Sequence, residues 1–323
     1  MEQGLNLREV NWPALWRKID TTFFPDLPRP TRSMPVWQYL LFVIVGVAVF
    51  SFVGSFLPPT GLIGFDWLNF FSTPEQEAGL SYYPPWIKYV SYLSWPVLLG
   101  LTFTGLALAL YQRRASLLVI ILAFLTLPTL WVVFLGQVEG IVLFGLTGLP
   151  WLVPLITIKP QVGYLAFLAR KRDLAVLLIW LALSIVIWGP WPLNMLTISN
   201  FTAWEQPHDI SLWPWSLPLF VILLWFSRGD EDMLMLAGMF ALPYLHSYHY
   251  FVVLPAMARV TQWVAVAVAV ISWLPLLANW LGPWAWQLGH LFPIILWLNL
   301  YFQRRTWLRA NRNQPLTSGS IIG

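Results

Sequence analysis

Lys159 stands inside a long apolar stretch, 138–169, that is broken by Gly148, Pro150, Pro154 and Pro160. An ammonium in such surroundings is costly, so a functional role is the default hypothesis. The prolines point to discontinuous helices, tolerated at membrane depth where they pack in protein or line a cavity. The ammonium could meet a phosphate at an interface; the alternative is a lysine that snorkels its charge to water from a helix end. Asp66, in Gly64-Phe65-Asp66-Trp67, is a carboxylate among aromatic rings. That setting can raise its pKa and fit it to act as a base toward a hydroxyl; a solvated loop acid is the plainer reading. Gln137 and Glu139, in Gly136-Gln137-Val138-Glu139-Gly140, open a new apolar segment. There the free N–H groups and helix dipole favour acids and anionic ligands, and simple capping accounts for both residues equally. His246 and His249, in Leu245-His246-Ser247-Tyr248-His249-Tyr250, lie three apart on one helical face and could hold a phosphate or a metal together. With 4 histidines in the chain and no clear third ligand, substrate binding is the preferred role and a zinc site is not.

These side chains must be positioned by membrane helices. Of 323 residues, 58% are hydrophobic and 10% charged, against about 25% charged in soluble domains. Many of the 22 tryptophans sit near the ends of apolar runs, as ring anchors at a membrane–water boundary do; packing between helices is the alternative use for them. There is no cysteine, hence no disulfide, thiolate metal site or cysteine nucleophile. Runs of a length to cross a bilayer, at about 20 residues each, fall at 36–57, 88–111, 115–135, 173–190, 212–227, 233–248, 260–281 and 288–302. Counting the interrupted stretches 138–169 and 250–258 as crossings gives about ten spans. The expected fold is therefore all-α, a polytopic transmembrane bundle with short interfacial helices in its exterior loops. Its divisions are a cytoplasmic N-terminal segment over 1–35, a multi-pass domain over 36–303 and a cytoplasmic tail over 304–323.

The basic residues orient this bundle. With the N-terminus inside, 16 of the 18 lysines and arginines fall on the cytoplasmic side, all but Lys88 and Lys159. Asp66, Glu75, Glu77, Glu139, Glu205 and Asp209 then fall outside, with two long loops rich in proline and aromatics, 58–87 and 190–211. Arg228-Gly229-Asp230-Glu231-Asp232 falls inside and reads as a solvated turn. No glycine-rich phosphate loop, nucleophile elbow or His-Glu-x-x-His pattern occurs, which argues against nucleotide hydrolases, serine hydrolases and zinc proteases. Nothing suggests nucleic-acid binding.

Taken in order, Asp66 after the first span, Tyr82-Tyr83-Pro84-Pro85-Trp86, Gly136-Gln137, Lys159-Pro160, the basic run 170–172, Leu242-Pro243-Tyr244 with His246 and His249, and Val253-Leu254-Pro255 resemble the polyprenyl-phosphate-mannose-dependent mannosyltransferases of the GT-C class. The resemblance covers residues 36–260. It implies a membrane glycosyltransferase in a bacterial plasma membrane, moving a mannose-like hexose from a polyprenyl-phosphate donor to an acceptor on the exterior face. Asp66 holds the position of the catalytic base. Lys159 would neutralise the departing lipid phosphate, and Tyr83, Gln137, Glu139, His246 and His249 would line the substrate site. No cofactor beyond the lipid-linked sugar is implied, and a divalent metal is left open. The chain is short for that class. A non-catalytic subunit of a larger membrane complex is the alternative; a transporter ranks last, since no internal repeat is visible.

Overall fold

Proline placement dictates much of the local structure. The computed structural model describes residues 34–61, 63–72, 83–193 and 209–312. Glu75, Glu77, Tyr82, Glu205 and most of the two terminal segments lie outside the described residues. Every element among the described residues is helical. The α-helices are α1 (Val36–Gly54), α2 (Trp95–Gln112), α3 (Leu117–Phe124), α4 (Leu127–Leu135), α5 (Glu139–Gly145), α6 (Pro160–Gly163), α7 (Lys171–Trp188), α8 (Leu217–Ser227), α9 (Glu231–Gly238), α10 (Gln262–Ile271), α11 (Ala278–Leu281) and α12 (Leu291–Arg312). Between them run 3₁₀ segments, chiefly Pro85–Tyr92, Pro150–Ile158, Tyr164–Ala169, Ser247–Arg259 and Pro283–His290.

Among the described residues, three helices are long and apolar enough to cross a membrane: Val36–Gly54, Trp95–Gln112 and the run Gln262–Leu281. A fourth arises if α3 and α4, which meet at 47°, count as one span. The expectation of ten is thus met by three or four on length and composition. The difference has a physical source. Proline removes an N–H and clashes with the preceding turn, so proline-bearing segments do not run on as α-helix. Ser247–Arg259, with Pro255 inside it, winds as 13 residues of 3₁₀ helix. Such a segment reaches about 26 Å, where an α-helix of equal length would reach about 20 Å. Its residues from Ser247 to Met257 are all buried, so it runs through the middle of the bundle. At the α3–α4 break the freed backbone is satisfied locally: the Thr126 and Thr129 hydroxyls donate to the Ala123 carbonyl at 2.8 and 2.7 Å, and the Leu127 N–H donates to Ser272 Oγ at 3.1 Å.

α1 packs on α2 and exposes Leu40, Ile44 and Phe52 on its other faces. Small residues let these two backbones approach, with Gly46 against Thr104 and Gly100 against Ser51 and the Val47 carbonyl. Beyond α1 the chain turns at Gly64, with φ +74°, while α4 ends on Gly136 in the left-handed conformation, φ +73°. The Gly64 N–H donates to the Phe134 carbonyl at 2.7 Å, and a Cβ on Gly136 would stand 2.7 Å from the Trp67 Cβ and 3.1 Å from the Gly64 Cα. These two glycines bring Asp66 and Gln137 together.

The end of the bundle away from Asp66 is held by buried charge. Glu231 and Asp232 are 3% and 4% exposed, so the expected solvated turn is instead the acidic heart of an ion cluster. Arg113, at the end of α2, donates through Nε and Nη2 to Asp232 at 3.0 and 2.8 Å. Arg170 donates through Nε to Glu231 at 2.6 Å, and Arg259 donates to Asp230 and Asp232 at 2.7 and 2.9 Å. Sequence-local reading could not see this, because the three arginines come from separate elements.

Replacing Gly136 with Ala forces an L-residue into left-handed backbone and crowds Trp67. We expect a loss of about 1–3 kcal/mol, measured as a lowered thermal midpoint in detergent. Gly61→Ala, with nothing within 4 Å of the added methyl, should leave that midpoint unchanged.

Candidate functional site

Lys159 closes the 3₁₀ segment Pro150–Ile158 and precedes Pro160, the first residue of α6. A proline following it disfavours helical backbone at Lys159, and its φ of −134° and ψ of 76° carry the side chain out of helical register. Lys159 is 1% exposed, which excludes the snorkelling alternative. Its Nζ donates to Gln137 Oε1 and to Glu139 Oε1, each at 2.6 Å. It also lies 4.7 Å from the centre of the Tyr248 ring and 5.8 Å from that of Tyr83, favourable positions for a cation over aromatic faces.

Gln137 turns the other end of its amide outward from this pair: its Nε2 donates to Asp66 Oδ2. One side chain therefore joins a half-buried carboxylate to a buried ammonium. Glu139 is fully buried in the first turn of α5, where the free N–H groups favour its charge. Its Oε1 holds Lys159, while its Oε2 has no hydrogen-bond partner. Burial pushes the Asp66 carboxyl up to about 6; the nearby Lys159 charge and the Gln137 hydrogen bond pull it down, and the Glu139 charge pushes it up further. An acid so poised changes protonation close to neutral pH.

The histidines approach from Ser247–Arg259. The His246 N–H donates to His249 Nδ1 at 2.8 Å, capping the segment. An Nδ1 that accepts leaves the proton of a neutral His249 on Nε2. His249 then presents an N–H donor, which suits a phosphate or hydroxyl oxygen and not a metal. His246 Nε2 pairs with the Tyr244 hydroxyl at 2.5 Å, and the His246 and Tyr248 rings stack with centres 5.3 Å apart. Among the described residues, no three His, Cys, Asp or Glu side chains are grouped to hold a metal ion.

The structure thus brings Asp66, Tyr83, Gln137, Glu139, Lys159, His246 and His249 into one neighbourhood, from five separate stretches of chain. Tyr244 and Tyr248 join them without having stood out as site residues in the sequence; their place between and beside the two histidines was the available signal. Beside the polar cluster runs an apolar groove of about 570 Å³. Its walls include Trp86, Ile141, Ile158 and Trp180, and it extends to Tyr39 and Trp151. Ile158 precedes Lys159 and Ile141 follows Glu139 by two residues, so the groove's lining neighbours the cluster along the chain, although no side chain of the cluster lines the groove itself.

No family model, curated protein or solved structure matches this chain.

The Lys159–Glu139 pair is testable without knowing the reaction. Lys159→Met leaves Glu139 buried and unpaired, a change that costs about 3–5 kcal/mol. Adding Glu139→Leu removes the orphaned charge and should restore most of the lost stability; thermal unfolding of both variants measures the difference.

Proposed function

We propose that this chain is a membrane glycosyltransferase of the GT-C kind, which moves a mannose-like hexose from a polyprenyl-phosphate donor to a hydroxyl acceptor at the exterior face of a bacterial plasma membrane. The observation that carries the reading is the Asp66–Gln137–Lys159 chain of hydrogen bonds. It sets a carboxylate able to take a proton one side chain away from a cation able to meet a phosphate.

In this reading the acceptor oxygen forms a bond to the anomeric carbon as that carbon's bond to the phosphate oxygen breaks. The acceptor's proton goes to Asp66 and the electron pair leaves on the lipid phosphate. Charge balances: the negative charge lost at Asp66 reappears on the phosphate. Of the three N–H bonds of Lys159, two are taken by Gln137 and Glu139, and the third is the contact for the phosphate. The N–H of His249 and the hydroxyls of Tyr83 and Tyr248 supply neutral donors around it. The hydrocarbon chain of the donor lies in the apolar groove, whose residues Ile158 and Ile141 neighbour Lys159 and Glu139 along the chain. In this reading the interrupted stretches 138–169 and 250–258 are broken crossings added to the helices long enough to span alone, and both termini are cytoplasmic.

The test is hexose transfer from a labelled polyprenyl-phosphate donor by protein in proteoliposomes. Asp66→Asn should lower the rate by roughly 10²- to 10⁴-fold, the usual worth of a general base. Full activity in that variant would sink the assignment. The pH profile carries a sign. A base must be ionised, so with Asp66 near 6 the rate should fall tenfold per unit below that pH and level off above it. A rate that rises on acidification contradicts Asp66 as the base.

A further inference from the structure

The three segments that carry the buried side chains of the site all end on the same ion cluster at the far side of the bundle. Glu139 begins α5, and the carbonyl of Leu146, which caps that helix, accepts from Arg170 Nη2 at 2.9 Å. Lys159 begins the run through α6 and Tyr164–Ala169, which ends at Arg170 itself. His246 and His249 begin the central 3₁₀ segment, which ends at Arg259. Arg170 and Arg259 then converge on the start of α9, where Glu231 takes Arg170 and Asp232 takes both Arg259 and Arg113. α9 itself packs against Tyr164–Ala169 and against Ser247–Arg259. Asp66 stands apart from this arrangement, since it is carried by the turn after α1.

We infer that Arg170 and Glu231 are positioning residues, which fix the depth of Lys159, Glu139 and the histidine pair relative to Asp66 from the opposite end of the bundle. The inference rests on the proposed function for its catalytic consequence, though not for its geometry. Segments of mixed 3₁₀ and α winding can change length, because each residue rises further along the axis in the first than in the second. A segment held at one end only could therefore shift its site residue along the bundle axis. The guanidinium of Arg170 prevents this for two segments at once: its Nε holds Glu231, its Nη1 reaches Asp173 at 3.3 Å and its Nη2 holds the Leu146 carbonyl. A lysine has no rigid fork and cannot hold all three.

The experiment compares Arg170→Lys and Glu231→Asp with the parent in proteoliposomes. Both keep the charge and lose the reach. The first readout is the titration midpoint of the Asp66 carboxyl, followed by infrared difference spectroscopy against Asp66→Asn. That midpoint depends on how close Lys159 stands, and it needs no turnover. We expect it to move up by half a unit or more in Arg170→Lys, with cooperative melting retained. The second readout is transfer, where a misplacement of about 1 Å costs on the order of 10²-fold; kcat should fall at least tenfold while KM for the donor changes less than threefold. A variant that melts earlier yet keeps the parent's Asp66 midpoint and kcat within twofold overturns the inference and leaves a purely structural cluster. Failure of both variants to fold overturns it as well, since the cluster would then be a folding requirement. Absence of transfer in the parent protein defeats the glycosyltransferase reading alone; the infrared midpoint still decides the positioning role.

Discussion

A lysine ammonium cannot be kept from water without partners, and the cost of leaving one unpaired is several kcal/mol. Lys159 is 1% exposed, so the chain must deliver Gln137, Glu139 and the faces of Tyr83 and Tyr248 to it. That requirement organises the whole site. It brings α5 against the end of the Pro150–Ile158 segment, draws Gln137 into line with Asp66, and sets the start of the central 3₁₀ segment alongside. The charge of Lys159 also acts on Asp66 in opposition to burial, which leaves that carboxyl at about 6 and open to proton exchange near neutral pH.

The polar residues form two buried groups joined by the segments between them. One is small and incompletely satisfied, with Glu139 Oε2 left without a hydrogen bond. The other is dense: Arg113, Arg170 and Arg259 share the carboxylates of Asp230, Glu231 and Asp232 through several bonds each. Buried ion pairs are weak evidence for stability, since apolar replacements often serve as well. Their directional bonds do fix one arrangement of the elements that carry them. A small site at one end and a dense ion cluster at the other fit a molecule in which one end binds and the other holds.

The candidate site was legible in sequence because its residues break local rules. Lys159 sits in an apolar run, Asp66 among aromatics, and Gln137 beside a glycine that must adopt left-handed backbone. Tyr244 and Tyr248 broke no rule, since a tyrosine beside apolar residues is ordinary, and only the fold shows them packed on the histidines. The cluster around Glu231 was hidden for the opposite reason. Gly229-Asp230-Glu231-Asp232 looks like any exposed acidic turn, and two of its arginine partners, Arg113 and Arg170, lie far away along the chain. All-helical architecture followed from composition. The number of spans did not, because a length rule built on the α-helical rise misjudges proline-rich segments that wind as 3₁₀ helix.

Retention of the lipid by the purified protein is the most direct measurement of the central claim, that the Lys159 cluster receives a lipid phosphate. Protein released from lipid containing a polyprenyl phosphate would be weighed intact by native mass spectrometry, alongside the Lys159→Met, Glu139→Leu double variant, in which the buried charges are removed together. The account predicts one polyprenyl phosphate retained by the parent and loss of it in the double variant. Equal retention by the two proteins, or none by the parent, would contradict it.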